Sequence, residues 1–103
     1  MQPDAKCSLV SLKEQRSVDP KEYFTGSWRS IRLERVERGQ QLARSMEGIE
    51  ESWFVVSGTG TALVGDRSID LYHATTLTFP LGSAVVFQAG DEALELFVTT
   101  LEV

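Results

Sequence analysis

Histidine and cysteine are almost missing from this chain of 103 residues, which holds one of each, His73 and Cys7. A single cysteine excludes an intrachain disulfide and suits a reducing compartment. Cys7 also has no identifiable base beside it, so it is not read as a nucleophile. No apolar run approaches the ~20 residues of a membrane-spanning helix. The first ten residues, MQPDAKCSLV, carry Asp4 and lack a long apolar core, so they do not read as a signal peptide, and a cytoplasmic location is expected. A basic surplus is lacking too. Ten Lys and Arg face fifteen Asp and Glu, for a net charge of −5 and a pI near 4.8. That balance excludes nucleic acid as the expected partner. The densest basic run, Arg29, Arg32, Arg35 and Arg38, is interleaved with Glu34 and Glu37. It reads first as a mixed solvated face and only second as a local anion site. Finally, there is no three-turn amphipathic helical pattern, internal repeat, low-complexity tract or interdomain linker.

What remains is a chain of ordinary hydrophobic content, 42%, with 24% charged residues, long enough for one domain with a modest core. Short runs rich in aromatic and β-branched residues recur at roughly the 8–12-residue spacing of an all-β sandwich or barrel. Residues 1–26 read as an N-terminal arm, frayed over 1–7. A short strand is expected near Ser8–Leu12, and one helical turn opened by Asp19-Pro20-Lys21-Glu22. Residues 27–103 read as the barrel. Its strands are expected over Ser27–Val36, Gln41–Glu47, Glu51–Val56, Thr61–Val64, Ser68–Tyr72, Thr75–Phe79, Ala84–Gln88 and Leu94–Leu101. Glycine and proline turns separate them.

The stretch from Gly39 to Gly60 is the most informative. Residues two apart in a strand share a face, so Glu51 points the same way as Trp53 and Val55. A carboxylate on the apolar side of a strand must be paired or neutralised. By the same count Ser45 and Glu47 share a face, and Arg44, of opposite parity, is assigned to the surface. Trp28, Ser30, Arg32, Glu34 and Val36 share a face in their strand, so Arg32 is a natural counter-ion for Glu51.

The spacings here resemble a known family. Gly39, five residues, Ser45, one residue, Glu47, three residues, Glu51, six residues, Gly58 is similar to the first signature motif of the cupins. Pro80-Leu81-Gly82, two residues, Val85 is similar to their second, whose opening glycine would fall at Ala74. The resemblance covers about Val36 to Thr100. It implies an all-β fold: a small antiparallel β-barrel or jelly roll, the cupin double-stranded β-helix, with the motif residues at one open end. Cupins that hold a metal typically use two histidines and a glutamate from the first motif and a histidine from the second. Here those places carry Ser45, Glu47, Glu51 and Val85. The resemblance therefore implies no resident transition metal and no other cofactor.

Three functions follow as alternatives. The first is a metal-independent enzyme acting on a small metabolite by isomerase, epimerase, cyclase or lyase chemistry. Glu51 is its acid or base, with a pKa raised toward neutrality by burial, and Glu47 or Arg32 assists. The second is a non-catalytic binding or accessory cupin holding a small, partly apolar ligand among Ser45, Trp53, Val85, Phe87 and Arg32. The third is weak metal binding by Glu47 and Glu51. Against these stand plainer readings: Trp53, Val85 and Phe87 as core, Glu47 as a solvated rim glutamate, and Glu51 as a relic ligand bonded to Ser45 or an arginine. Phe54 and Val56 lie opposite Glu51 and so face outward, where a second copy covering them gives a homodimer.

Overall fold

The computed structural model describes residues 9–103. The alternation read from the sequence becomes strands over β2 Trp28–Val36, β3 Gln41–Ser45, β4 Ile49–Ser57, β5 Gly60–Val64, β6 Arg67–Leu71, β7 Thr76–Phe79, β8 Ala84–Ala89 and β9 Leu94–Glu102. A two-residue strand, β1 Ser17–Val18, precedes them. All pairings are antiparallel. The strands form two sheets, one of order β1-β2-β9-β4-β7 and one of order β3-β8-β5-β6. This is an antiparallel jelly roll: all-β as the strand spacing predicts, and of the architecture that the motif resemblance implies.

The arm differs from expectation in one place. No strand forms over the described residues Leu9 to Leu12. Instead Leu12–Gln15, composed of good helix formers, makes a single helical turn, α1. Arg16, with φ of 68°, ends the turn and reverses the chain. That reversal lets Ser17 and Val18 pair with Arg32 and Ile31. The expectations for residues 1–7, Cys7 and Ser8 lie outside the described residues. The turn expected at Asp19 is present as a 3-10 helix over Pro20–Glu22, its N-terminus capped by the Asp19 carboxylate, which accepts from the Lys21 amide at 3.0 Å. Among the described residues no helix is long and apolar enough to cross a membrane.

The inner face of the five-stranded sheet grades from apolar to polar along its strands. Its register sets Val36 opposite Leu94, and Glu34 beside Leu96 and Val55. The next row is Arg32, Val98, Trp53 and Leu77. The last is Ser30, Thr100, Glu51 and Phe79. Against this face the other sheet packs Leu42, Ala62, Val85, Phe87 and Ala89. Trp53 and Phe87 are fully buried and stack at 4.5 Å between ring centroids, with Phe79 edge-on to Phe87 at 6.0 Å. The core therefore fills the barrel, and the polar row marks its mouth.

Two backbone positions hold the motif turns. Gly58 has φ of 88°, and a Cβ there would overlap the Ala93 carbonyl, so only glycine fits. The residue where the second motif would place a glycine is Ala74. It adopts φ of 73° all the same, with its amide donating to the Val55 carbonyl.

Candidate functional site

Glu51 stands at the centre of the mouth, with its side chain wholly buried. Five hydrogen bonds converge on it from four side chains. Its Oε1 accepts from Trp53 Nε1 at 3.1 Å and from Arg44 Nε at 3.4 Å. Its Oε2 accepts from Arg44 Nη2 at 3.0 Å, Arg32 Nη2 at 3.2 Å and Thr100 Oγ1 at 2.5 Å. Arg44 thus grips both oxygens along one edge of its guanidinium, the strong bidentate geometry. Arg32 is held in turn. Its Nε donates to Glu34 at 2.8 Å, and its Nη1 donates to Ser30 Oγ at 2.6 Å and Thr100 Oγ1 at 2.9 Å. Its Cζ lies 5.8 Å from the centre of the Trp53 ring, a cation–π contact.

This network reverses the pKa direction expected for Glu51. Burial does push the carboxyl up, and it is the largest single influence. The hydrogen bonds from Thr100 and Arg44, the Arg44 charge and the Trp53 indole together outweigh it, and the net pKa is lowered. The carboxylate is ionised at neutral pH and its oxygens are occupied. A general base needs an accessible lone pair aimed at the substrate proton, and Glu51 offers none.

Arg44 is the residue that sequence parity misplaced. Its side chain reaches inward to Glu51 and is partly buried at the mouth. The motif resemblance sets Ser45 at the mouth, and alternation along the strand from Ser45 turns Arg44 outward, whereas in the structure Arg44 faces Glu51 and Ser45 is exposed. The reliable signal lay in β3 and the residue that follows it: Leu42 and Met46 bracket Arg44 at two-residue spacing, and Met46 is fully buried. The register agrees, with Leu42 opposite Phe87 and Arg44 opposite Val85. Ser45 and Glu47 are consequently exposed and border the mouth from its rim.

A cleft of about 350 Å³ opens there, bordered by Arg29, Ser30, Arg32, Arg44, Ser45, Glu47, Ile49, Glu51 and Thr100. Ile49 is its one apolar border. Trp53, Val85 and Phe87, expected as candidate ligand walls, do not line it. They are closed into the core, and only the Trp53 indole nitrogen reaches the site. Arg29, which sequence reasoning left on a solvated face, is brought to the cleft by a β-bulge. The β2–β9 register slips between Trp28 and Ser30, so Arg29 is the extra residue. Bulges at barrel rims re-aim side chains in this way.

No family model and no curated protein matches the sequence. Solved structures do. A predicted oxalate decarboxylase from Thermotoga maritima superposes with a TM-score of 0.69 at 14% identity, over 75% of this chain and 69% of that one. The Cnp3 cupin domain of Schizosaccharomyces pombe gives 0.68 at 15% identity, over 84% of this chain and 62% of that one. A cupin protein from Bacteroides fragilis gives 0.67 at 18%, over 100% of this chain and 87% of that one. The chain has the cupin fold. Within that fold the donor set at the mouth does not fit a transition metal. Glu51 is committed to two guanidinium groups, Val85 is hydrocarbon, and Ser45 and Glu47 sit at the rim. Among the described residues no three His, Cys, Asp or Glu side chains converge. The cations beside Glu51 are the guanidinium groups of Arg44 and Arg32.

Proposed function

We propose that this cupin binds a small molecule in the mouth cleft and that Glu51 serves the architecture of the site and not proton transfer. One observation carries the reading: both Glu51 oxygens are occupied by Arg44, Arg32, Thr100 and Trp53. A carboxylate so held fixes the two arginines in place and cannot exchange a proton with a ligand without breaking its bonds. The polar border favours a polar ligand over the partly apolar one expected from Trp53 and Phe87. The enzymatic alternative, with Glu51 as acid or base, loses the raised pKa on which it rested.

The test is a metabolite screen followed by nuclear magnetic resonance on the labelled protein. Expected are compounds that move the signals of Arg29, Ser45 and Glu47 and are recovered unchanged after long incubation. A compound that is converted, at a rate abolished by Glu51→Gln in a variant that circular dichroism shows to be folded, overturns the reading.

A further inference from the structure

We infer that the mouth cleft is an oxyanion site, taking the carboxylate or phosphate group of a small polar ligand between Arg29 and Arg44. The inference rests on the small-molecule reading above and names its ligand class. The hydrogen bonds around the cleft divide its three guanidinium groups. Arg32 is consumed: Nε, Nη1 and Nη2 all donate to Glu34, Ser30, Thr100 and Glu51. Arg44 commits only the edge formed by Nε and Nη2, and its side chain remains 31% exposed. Its Nη1 has no partner among the described residues. Arg29 borders the same cleft and makes no ion pair among the described residues, although the other arginines of its strand, Arg32 and Arg35, each do. An arginine presented by a bulge at a barrel mouth, with its fork unspent, is a ready donor to a planar or tetrahedral oxyanion.

Among the described residues, the ion pairs at the mouth leave Arg29 uncommitted. Glu51 and Glu34 are both ion-paired at Arg32, and Glu51 also at Arg44. Arg29 is left facing the cleft in a protein of net charge −5. The hydroxyl of Ser45 stands on the border as a further hydrogen-bonding group, while that of Ser30 is engaged by Arg32 and Thr100. Glu47, exposed at the rim, works against an anion and sets an upper limit on its affinity, so removing its charge should tighten binding. A structural role for Arg29 predicts neither that gain nor a loss on removing Arg29. Because Arg29 is exposed and outside the Glu51 network, Arg29→Gln should melt with the parent protein.

The experiment titrates inorganic phosphate and, separately, malonate into the ¹⁵N-labelled protein, following the arginine Nε–Hε signals. Expected are saturable shifts at Arg29 and Arg44 that weaken with added salt. Arg29→Gln should raise the dissociation constant about tenfold, and Glu47→Gln should lower it about two- to threefold. Whichever probe saturates first identifies phosphate or carboxylate as the better group. Titration with neutral glucose and glycerol separates the two levels of the argument. If they move cleft signals while both anions leave them still, the oxyanion assignment falls and the small-molecule reading stands. If no probe moves them, and the metabolite screen finds nothing, both fall. Anion shifts that persist unchanged in Arg29→Gln also overturn the assignment.

Discussion

Replacing Glu51 by Gln keeps the shape of the side chain and removes one buried negative charge. Its consequences can be worked from the contacts. The amide retains one oxygen, enough for either Thr100 or Trp53, and turns an NH₂ group toward donors that need an acceptor. Arg32 and Arg44 then lose their shared counter-ion. Breaking a fully buried pair costs about 3–5 kcal/mol. Here the arginine side chains are 16% and 31% exposed and can recover some hydration, which lowers the expected loss to about 2–4 kcal/mol. For a domain of this size that is a fall in Tm of roughly 10–25 °C. The pH dependence gives a second and sharper check. The folded-state pKa of Glu51 lies below the ordinary glutamate value of 4.5. Its ionised form therefore stabilises the fold above the unfolded-state pKa, and that contribution is lost as pH falls through the folded-state value. Urea unfolding, followed by far-UV circular dichroism from about pH 7 to about pH 3, should show the widest gap between parent and variant near neutrality and a narrowing gap on acidification. Far-UV detection avoids Trp53, whose fluorescence the substitution itself alters. A variant within about 0.5 kcal/mol of the parent, or a gap indifferent to pH, would refute the account of Glu51 as a charged keystone.

Four further outcomes are expected. Ala74→Gly should stabilise the protein by about 0.5–1 kcal/mol in urea unfolding, because φ of 73° strains alanine by more than glycine's extra unfolded-state entropy costs. Arg16→Ala should cost about 1 kcal/mol. Arg16 lies 2.5 Å from Glu95 Oε1, a buried oxygen with no well-aligned hydrogen-bond partner. Hydrogen exchange should accelerate at Leu33, whose amide donates to the Arg16 carbonyl at 2.7 Å. Gly58→Ala should lower stability by more than 2 kcal/mol, roughly, or prevent folding, since the added Cβ meets the Ala93 carbonyl at positive φ. The homodimer proposed on the outer face rests on a row formed in register by Leu33, Phe97 and Phe54. Light scattering should give about twice 11.4 kDa for the parent, and Phe54→Glu should give the monomer.

The fold was legible because its signal is local and repeated. Each strand carries its own alternation, every turn between barrel strands except that at Ala74 carries a glycine or proline, and an error of a residue or two at an end changes no pairing. Glu51 was legible for the same reason, since Trp53 and Val55 sit on its own strand and fix its direction. The site around it was less so, because it is assembled from four strands, β2, β3, β4 and β9, whose relative facing depends on what happens between them. Parity is conserved along a strand and lost across a turn. The motif resemblance set Ser45 at the mouth, and alternation from it turned Arg44 outward, whereas in β3 it is Arg44 that faces Glu51. Arg29 was hidden by a different difficulty: an extra residue within β2 re-aims one side chain without disturbing the pattern on either side of it. The direction of the Glu51 pKa failed for a third reason. Burial is visible in a sequence, whereas the main donors that offset it, Thr100 from β9 and Arg44 from β3, come together only in space. A buried carboxylate read from a strand pattern is thus evidence for a polar partner set and not for a raised pKa. Here the partners are two guanidinium groups, a hydroxyl and an indole, and that is what moves the functional reading from proton transfer to binding.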